Sequence, residues 1–425
     1  MRFLFLHYAF PGPFRYLATY LASLPGNAVV FASEFDRSDL NLPGVRKFIL
    51  NKPKPLARIH DPEKATATDL AERDICAAVR RGAATANSLL ILRREQGFVP
   101  DIIYASALMG AGFYVRDVFP EALLAVYADW YHTDEEHAAY SLRRSVSGLC
   151  YAQARVRNLV QINSLLECHL PVTAAACQRK HFPPGVSSRM QVMPRGVDTQ
   201  FYFPGNGGCR EKTAINEDLD LSSAGELVTF SGRIQESGRG LSYFLRALPR
   251  LFNTRPRCRA LVLATGSEPD RVEELRREAR DLLGQHADRA RIVHFARLKE
   301  YRSILRASDL HVYLIAPHAL SAGVFEAMSC ACLVLGVDTE PVREVIRHGE
   351  NGFLHDFTDY QATADIMADL LDRAPALEPV RQAARHTIVT CYEQRELVRR
   401  HEAMLGRCHQ AWLRDDPLLG LPLVE

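Results

Sequence analysis

The sequence has little that would direct the protein to a membrane or to nucleic acid. It contains no uninterrupted apolar run of about 18 residues, the length needed to span a bilayer. Its 52 Lys and Arg nearly balance its 50 Asp and Glu, and the formal net charge is +2. Residues 1–6 predict a first β-strand and not a signal peptide, because His7 and a Pro/Gly turn follow at once. We therefore expect no nucleic-acid partner and a cytoplasmic location.

Closely paired cysteines and glycine-rich turns are also scarce. The ten cysteines are scattered along a chain too long to need disulfide cross-links, so we expect reduced thiols. Segment 168–181 holds two Cys and two His without the tight spacing of a zinc site, so no metal is expected. The turn after the first strand has a single glycine, Gly12, where a nicotinamide-dependent oxidoreductase would carry G-x-G-x-x-G. That class of enzyme is disfavoured.

What the sequence does have is length and a regular alternation. With 425 residues, it has room for two domains of about 200 residues each. Short β-branched-rich runs alternate with amphipathic stretches, which predicts an α/β fold with parallel sheets and two Rossmann-like domains. The predicted strands are 2–7, 28–32, 45–50, 102–104, 123–127, 169–173 and 190–193 in the first half, and 227–231, 260–264, 292–295, 310–314 and 333–336 in the second.

Composition also suggests where the domains end. Segment 204–223 is rich in Gly and Pro with mixed charges, which predicts a linker. The first domain is then 1–203 and the second 224–378. Segment 379–425 has helical periodicity and many charges, and we expect it to cross back to the first domain.

Two arginines lie on one predicted strand-to-helix turn. Arg233 and Arg239 follow the strand that ends near Gly232, and apolar residues at helical spacing follow from Leu241 to Phe252. Ligands of open α/β sheets bind at the carboxyl ends of the strands, and the guanidinium fork fits phosphate oxygens. Either arginine alone could be an ordinary surface residue. Their placement on the same turn favours a diphosphate site.

A second segment, 311–328, has a strand that stops at Pro317 and a turn of small residues. Ser321, Ala322 and Gly323 are predicted to open a helix whose free N–H groups and positive dipole end suit phosphate. Glu326 follows in the first turns of that helix, where a carboxylate could accept hydrogen bonds from ribose hydroxyls. The alternative is that Glu326 only complements the helix dipole.

In combination, these segments resemble motifs of the family 4 glycosyltransferases. The two arginines and the 321–326 turn are joined by Gly196-Val197-Asp198 and by 349–354, in the family's usual order. Segment 6–15 resembles the "FPGQF" loop of one subgroup, which 117–120 also fits. The resemblance spans nearly the whole chain. It implies the GT-B fold, in which two Rossmann-like domains face each other across a cleft, the first for the acceptor and the second for a nucleotide sugar.

The resemblance also implies roles for single residues. Arg233 and Arg239 would hold the donor diphosphate, and Glu326, the second Glu of the family's E-x7-E motif, would bind the ribose. Gly12 lies in the loop that approaches donor phosphate and acceptor, and backbone near Arg297 and Leu298 would face the base. The donor-binding set is Gly12, Arg233, Arg239, Arg297, Leu298, His318, Ser321, Ala322, Gly323 and Glu326.

The chain departs from the family pattern at two positions. His318 stands where the first Glu of E-x7-E is expected, and Ser106 stands where the family usually has a catalytic-site His. Serine can donate a hydrogen bond to a sugar hydroxyl but carries no charge near neutral pH. His132 in the loop after strand 123–127 could compensate, and its alternative is a solvated loop side chain. The candidate catalytic residues are Arg233, Arg239, Ser106 and His132.

The resemblance implies a retaining glycosyltransferase that moves a sugar from a nucleoside-diphosphate sugar to an acceptor hydroxyl. It would need no metal and no cofactor and would act in glycan or polysaccharide biosynthesis. The alternative is a catalytically weakened nucleotide-sugar-binding GT-B subunit. Basic residues between 143 and 189 would suit a lipid-linked acceptor and a weak peripheral contact with the inner membrane face, although scattered arginines are usually a solvated surface.

Overall fold

The computed structural model describes residues 1–56, 66–133, 150–205, 212–217, 219–222, 224–232, 240–264, 269–294, 297–315 and 318–416. The chain folds into two compact units. The first consists of Met1–Arg195 and the chain from Arg395 onward, and the second is Gly196–Gln394. Arg233 and Arg239 lie outside the described residues.

The first unit is built on a seven-stranded sheet in which each strand pairing is parallel. Its strands are β1 (Arg2–Leu6), β2 (Ala28–Ser33), β3 (Val45–Ile49), β4 (Ile102–Ser106), β5 (Leu123–Tyr127), β6 (Leu170–Thr173) and β7 (Gln191–Val192), in the order β3-β2-β1-β4-β5-β6-β7. Its helices before the boundary are α1 (Arg15–Ser23), α2 (Ala67–Arg94), α3 (Val115–Val118), α4 (Cys150–Glu167), α5 (Ala176–His181) and α6 (Pro184–Ser187).

The second unit repeats the plan with a six-stranded parallel sheet and a separate two-stranded antiparallel ribbon. The ribbon is β8 (Ala214–Asn216) with β9 (Leu219–Asp220), and the sheet has β10 (Glu226–Gly232), β11 (Cys258–Ala264), β12 (Ala290–His294), β13 (Leu310–Tyr313), β14 (Val334–Val337) and β15 (Phe353–His355), in the order β12-β11-β10-β13-β14-β15. The helices are α7 (Leu241–Thr254), α8 (Pro269–Leu283), α9 (Leu298–Ala307), α10 (Ala322–Ser329), α11 (Glu340–Arg343), α12 (Tyr360–Asp372) and α13 (Glu378–Cys391), and the chain ends with α14 (Gln394–Leu413).

Burial on both faces explains why the strands read as continuous apolar runs. In β1, Leu4 and Leu6 enter one hydrophobic core, whereas Phe3 and Phe5 enter the core on the opposite face. Side chains of successive strand residues point to opposite faces, so a sheet covered by helices on both sides needs apolar residues at every position. The predicted α/β class with two parallel sheets is therefore confirmed.

The domain boundary differs from the one expected from composition. It falls between Arg195 and Gly196, before the predicted 204–223 linker. That Gly/Pro-rich stretch includes the β8–β9 ribbon, and Leu219 and Leu221 are buried in the core of the second unit. The described residues 212–217 and 219–222 of this stretch therefore belong to the second unit. The 379–425 segment is divided as well, since α13 stays with the second unit and the chain joins the first from Arg395.

Helix α2 is the described helix whose length and composition would allow it to cross a membrane, over Thr68–Arg94. Its start is fixed by a capping box, in which Thr66 accepts from the Asp69 backbone and the Asp69 carboxylate accepts from the Thr66 backbone. Leu89 and Leu92 are fully buried in the core of the first unit. Packing in that core accounts for the apolar composition of the helix.

The guanidinium of Arg385 on α13 connects three segments of the second unit. It donates to the carbonyl oxygens of Tyr202 at 2.8 Å, Ser329 at 2.9 Å and Thr199 at 3.0 Å. Tyr202 also accepts from the Ser329 hydroxyl at 2.6 Å. The chain entering the second unit is thus held against α10.

We expect Arg385→Leu to lower the free energy of unfolding of the second unit by about 3 kcal/mol, because it removes a charged donor from the carbonyl groups of three buried residues. Arg250→Leu is the control. Arg250 makes a two-point ion pair with Asp365, but both side chains are about half exposed (51% and 54%), so its loss should cost less than about 1 kcal/mol. Urea unfolding followed by circular dichroism measures both changes. The tryptophans, Trp130 and Trp412, both lie in the first unit, so unfolding followed by their fluorescence should not shift.

Candidate active site

The carboxyl edge of the second sheet brings a strand end and a helix start together. A Cβ atom on Gly323 would lie 3.3 Å from Oγ of Ser231 and 3.6 Å from Oη of Tyr301. Ser231 is the next-to-last residue of β10, and Gly323 is in the first turn of α10. The absence of a side chain at Gly323 therefore permits this close approach. Residues 321–323 open a helix as the sequence predicted.

The start of α10 carries no side-chain cap. The N-cap residue, Ser321, instead donates its backbone N–H to Oη of Tyr313 at 3.0 Å, and its hydroxyl lies 3.2 Å from the same oxygen. Ala322 is exposed. Backbone N–H groups of an uncapped first turn, together with the positive end of the helix dipole, can bind an anion such as phosphate.

Glu326 is half-buried on the same helix and is held by two phenols. The hydroxyls of Tyr202 and Tyr301 hydrogen-bond to its carboxylate, and both bonds favour the charged form. Burial has the larger effect and raises the pKa of Glu326 to about 7. A carboxylate has about four acceptor positions, so two hydroxyl donors leave room for two more. Binding of the ribose by Glu326 stays a prediction.

Tyr301 joins Glu326 to a buried polar chain under the edge. Oη of Tyr301 lies 3.3 Å from Oγ of Ser231, which lies 3.5 Å from Nε2 of His311. Nδ1 of His311 is 2.8 Å from the hydroxyl of Thr229. Burial lowers the pKa of His311 to about 4, so the ring is neutral. These polar contacts were not predicted; the only signal in the sequence was the presence of Thr, Ser and His inside apolar strands.

Three other residues predicted to bind the donor lie at exposed or half-buried positions. Arg297 is the exposed N-cap of α9, and Leu298 after it is 48% exposed. His318 is half-buried. The roles assigned to these three residues stay predictions.

In the first unit, Ser106 and His132 are both fixed by local hydrogen bonds. Ser106 is buried at the end of β4, and its hydroxyl oxygen accepts from the Leu108 N–H at 3.2 Å. The backbone of His132 is bonded in both directions by the side chain of Asn158, at 2.9 and 2.8 Å. This pairing fixes the loop that carries His132.

The carboxyl edge of the first sheet also holds Arg195 and His7, which were not among the site residues predicted from the sequence. Arg195 donates to the Asp129 carboxylate at 2.5 Å and to Oη of Tyr127 at 3.0 Å. His7, which follows β1 directly, is 5% exposed and packs against Gly12: a Cβ on Gly12, where φ is +50°, would lie 2.5 Å from Nδ1 of His7. Burial lowers the pKa of His7. Its sequence signal was a histidine directly after the first strand.

Comparison with known families assigns both halves of the chain. Residues 25–202 match the family model described as Glycosyl transferase family 4 group, and residues 225–373 match the one described as Glycosyl transferases group 1. The chain belongs to the family 4 glycosyltransferases. The resemblance read from Arg233, Arg239 and the 321–326 turn is thereby confirmed at the level of the family.

Individual relatives of this family 4 glycosyltransferase are distant. The D-inositol 3-phosphate glycosyltransferase of Acidothermus cellulolyticus is 30% identical over 214 residues, which are 47% of this chain and 44% of that one. The chain thus spans less than half of the length of this relative and of a second enzyme of that name from Corynebacterium glutamicum.

Solved structures show the fold. Sucrose-phosphate synthase from Thermosynechococcus elongatus superposes with a TM-score of 0.71 at 17% identity, over 96% of this chain and 99% of that one. Anabaena HepE in complex with UDP-glucose gives a TM-score of 0.70 at 16% identity, over 96% and 100% of the two chains. The expected GT-B fold is confirmed.

We expect Glu326→Gln to change how stability depends on pH. The folded chain holds the Glu326 proton up to a pKa of about 7, whereas the ordinary value is 4.5. Wild type should therefore lose free energy of unfolding as the pH rises from 4.5 to about 7 and change little above that, whereas Gln cannot ionise. Over this pH range, the free energy of unfolding of Glu326→Gln should rise relative to that of wild type by at most about 3 kcal/mol. Urea unfolding at pH 4.5, 6, 7 and 8 measures it.

The control for this experiment is Glu350→Gln, since the Glu350 side chain is 69% exposed. This variant should follow the wild-type dependence on pH. Parallel curves for wild type and Glu326→Gln would contradict the raised pKa.

Proposed function

We propose that the protein is a retaining glycosyltransferase that transfers a sugar from a nucleoside diphosphate to an acceptor hydroxyl. The observation that carries the proposal is the pairing, on α10, of an uncapped N-terminus with an oriented Glu326 carboxylate. Glu326 lies four positions after Ala322, about 6 Å along the helix. One helix thus offers an anion site and a hydroxyl acceptor at a spacing suited to the phosphate and ribose of one nucleotide.

Electrostatic stabilisation of the leaving group explains how such a site would work. Negative charge grows on the diphosphate as the bond to the sugar breaks, and Arg233, Arg239 and the α10 N–H groups are the donors proposed to meet it. This chemistry requires neither a metal nor a cofactor. Retention of configuration is what the family resemblance implies. Ser106 and His132 are proposed to contact the reacting sugar.

The comparisons suggest the first donor to test. The HepE structure contains UDP-glucose, and the relatives are named for sugar transfer to inositol 3-phosphate. UDP-glucose is therefore the first donor in the proposal, with a hydroxyl of a glycan or a lipid-linked sugar as the acceptor. A role in polysaccharide biosynthesis, in the cytoplasm or at the inner membrane face, belongs to the same proposal.

The test of the donor site is binding of UDP by titration calorimetry. Arg233→Ala and Arg239→Ala should each weaken binding by about 1.5–3 kcal/mol, since hydrogen bonds from a guanidinium to phosphate are charge-assisted. Arg259→Ala is the matched control, because Arg259 is exposed near the start of β11. If UDP does not bind, GDP and ADP are titrated in the same way. Unchanged affinity in both variants would remove the diphosphate assignment.

The alternative function is a nucleotide-sugar-binding subunit. It is considered because Ser106 provides no imidazole, and a measurement of turnover distinguishes it from an enzyme. We expect release of nucleoside diphosphate from the bound nucleotide sugar, with a cell-extract acceptor pool, to be faster in wild type than in Arg239→Ala. Equal rates despite tight donor binding would favour the binding subunit.

Glu326 makes a separate prediction about the ribose. Wild type at pH 8 should prefer UDP over its 2′-deoxy and 3′-deoxy analogues, and Glu326→Gln should reduce that preference, because an amide is the poorer acceptor for two hydroxyl donors. The wild-type preference should also shrink at pH 6, below the Glu326 pKa of about 7. Equal affinity of wild type for all three ligands at pH 8 would make Glu326 a structural residue.

A further inference from the structure

We propose that His7 is a catalytic residue, whose Nε2 accepts a hydrogen bond from a substrate hydroxyl. The proposal rests on the proposed function, because it needs sugar transfer to occur. It adds an imidazole to the edge of the first sheet. At this edge the family resemblance leads us to expect a histidine, and the sequence has Ser106 instead.

The sheet register brings His7 beside Ser106. Strands β1 and β4 pair in parallel up to Leu6 and Ala105, so the next residues, His7 and Ser106, lie at the ends of neighbouring strands about 4.8 Å apart. Strand β5 pairs with β4 at Ser106 and Tyr127, so its end, followed by Asp129, lies next along the same edge. His7 is therefore at the carboxyl ends of parallel strands, where open α/β sheets bind ligands.

Local hydrogen bonding leaves one nitrogen of His7 available. Nδ1 lies 2.7 Å from the carbonyl oxygen of Ala9 and 3.1 Å from the backbone nitrogen of Ala9. The carbonyl contact is the shorter one and requires a protonated Nδ1, so we assign the ring proton to Nδ1. The lone pair is then on Nε2, and Nε2 makes no hydrogen bond to any residue in the described part of the chain. Only 5% of His7 is exposed. An acceptor that the described protein groups leave unpaired can bond to water or to a ligand.

Burial keeps the ring neutral. It lowers the pKa of His7 most strongly; the hydrogen bond to Ala9 and the charge of Asp129 oppose this effect, and Arg195 adds to it. Since Arg195 pairs with both Asp129 and Tyr127, the carboxylate is largely compensated. The ring of Tyr8 lies 4.5 Å from the imidazole. At neutral pH, His7 can thus act as an acceptor through Nε2.

A purely structural role is the competing explanation, because the ring also supports the loop at Gly12. Two variants separate the roles. In His7→Asn the side-chain amide nitrogen can occupy the position of Nδ1 and keep the bond to Ala9, but nothing replaces Nε2. In His7→Gln the amide group reaches the position of Nε2. A structural role predicts that Asn is tolerated, whereas the catalytic role predicts that Gln is tolerated better.

The experiment measures UDP affinity by calorimetry and release of UDP from UDP-glucose with the acceptor pool. We expect both variants to bind UDP within about twofold of wild type, and turnover to fall about 100-fold in His7→Asn but by no more than about tenfold in His7→Gln. Ser106→His in the Asn background should recover part of the loss. Wild-type turnover at saturating donor should fall as acid protonates His7, and this acid loss should be absent in His7→Gln.

Wild-type turnover in His7→Asn, or an equal loss in the two variants, would overturn the proposal. Thermal unfolding followed by tryptophan fluorescence, which reports the unit that contains His7, verifies that the variants are folded. If the wild type binds no nucleoside diphosphate, or releases none, the proposed function itself is contradicted. This outcome is distinct from those that overturn only the role of His7.

Discussion

Parallel pairing of buried strands determines where the chemically active side chains of this protein emerge. In the second sheet, β10 pairs with β13 up to Phe230 and Val312, so Ser231 and the start of the loop to α10 come out at the same edge. In the first sheet, the pairing of Leu6 with Ala105 does the same for His7 and Ser106. A slip of one residue would move every side chain of a strand into the core on the opposite face, where it would not fit the packing, so the pairing is specified by both cores. Both candidate sites depend on it.

The features predicted from the sequence are those with a local cause. A strand covered on both faces must be apolar at every position, so the major strands could be read directly. The N-terminus of α10 was also readable, because small residues after Pro317 are a local signal. Strands β8, β9 and β15 were missed, since they have only two or three residues each. The boundary at Gly196 has no signal in composition, because it is held by backbone bonds from Val197 to Tyr392 and from Gln394 to Val197.

What the sequence could not predict are the partners of the site residues. Glu326 was identified by its place in a motif, but the phenols that bind it come from Tyr202 and Tyr301, which are distant in the chain. His311 and Thr229 are likewise joined only by the register of neighbouring strands. His7 could be read from the sequence as the residue after β1, but the packing of the Gly12 loop against its ring could not. Long-range contacts of this kind leave no periodic pattern for sequence reasoning to use.

The two candidate sites differ in how acid would affect them, and the difference follows from their surroundings. Burial raises the pKa of Glu326 to about 7, and the two phenols only partly offset it. Burial lowers the pKa of His7 below its ordinary 6.5, since the carboxylate nearby is paired with Arg195. As the pH falls, Glu326 is therefore protonated first and His7 later. In the proposed reaction, acid would first weaken recognition of the ribose, which more donor can overcome. Only at lower pH would it slow turnover at saturating donor, because His7 acts on the substrate and not on nucleotide affinity.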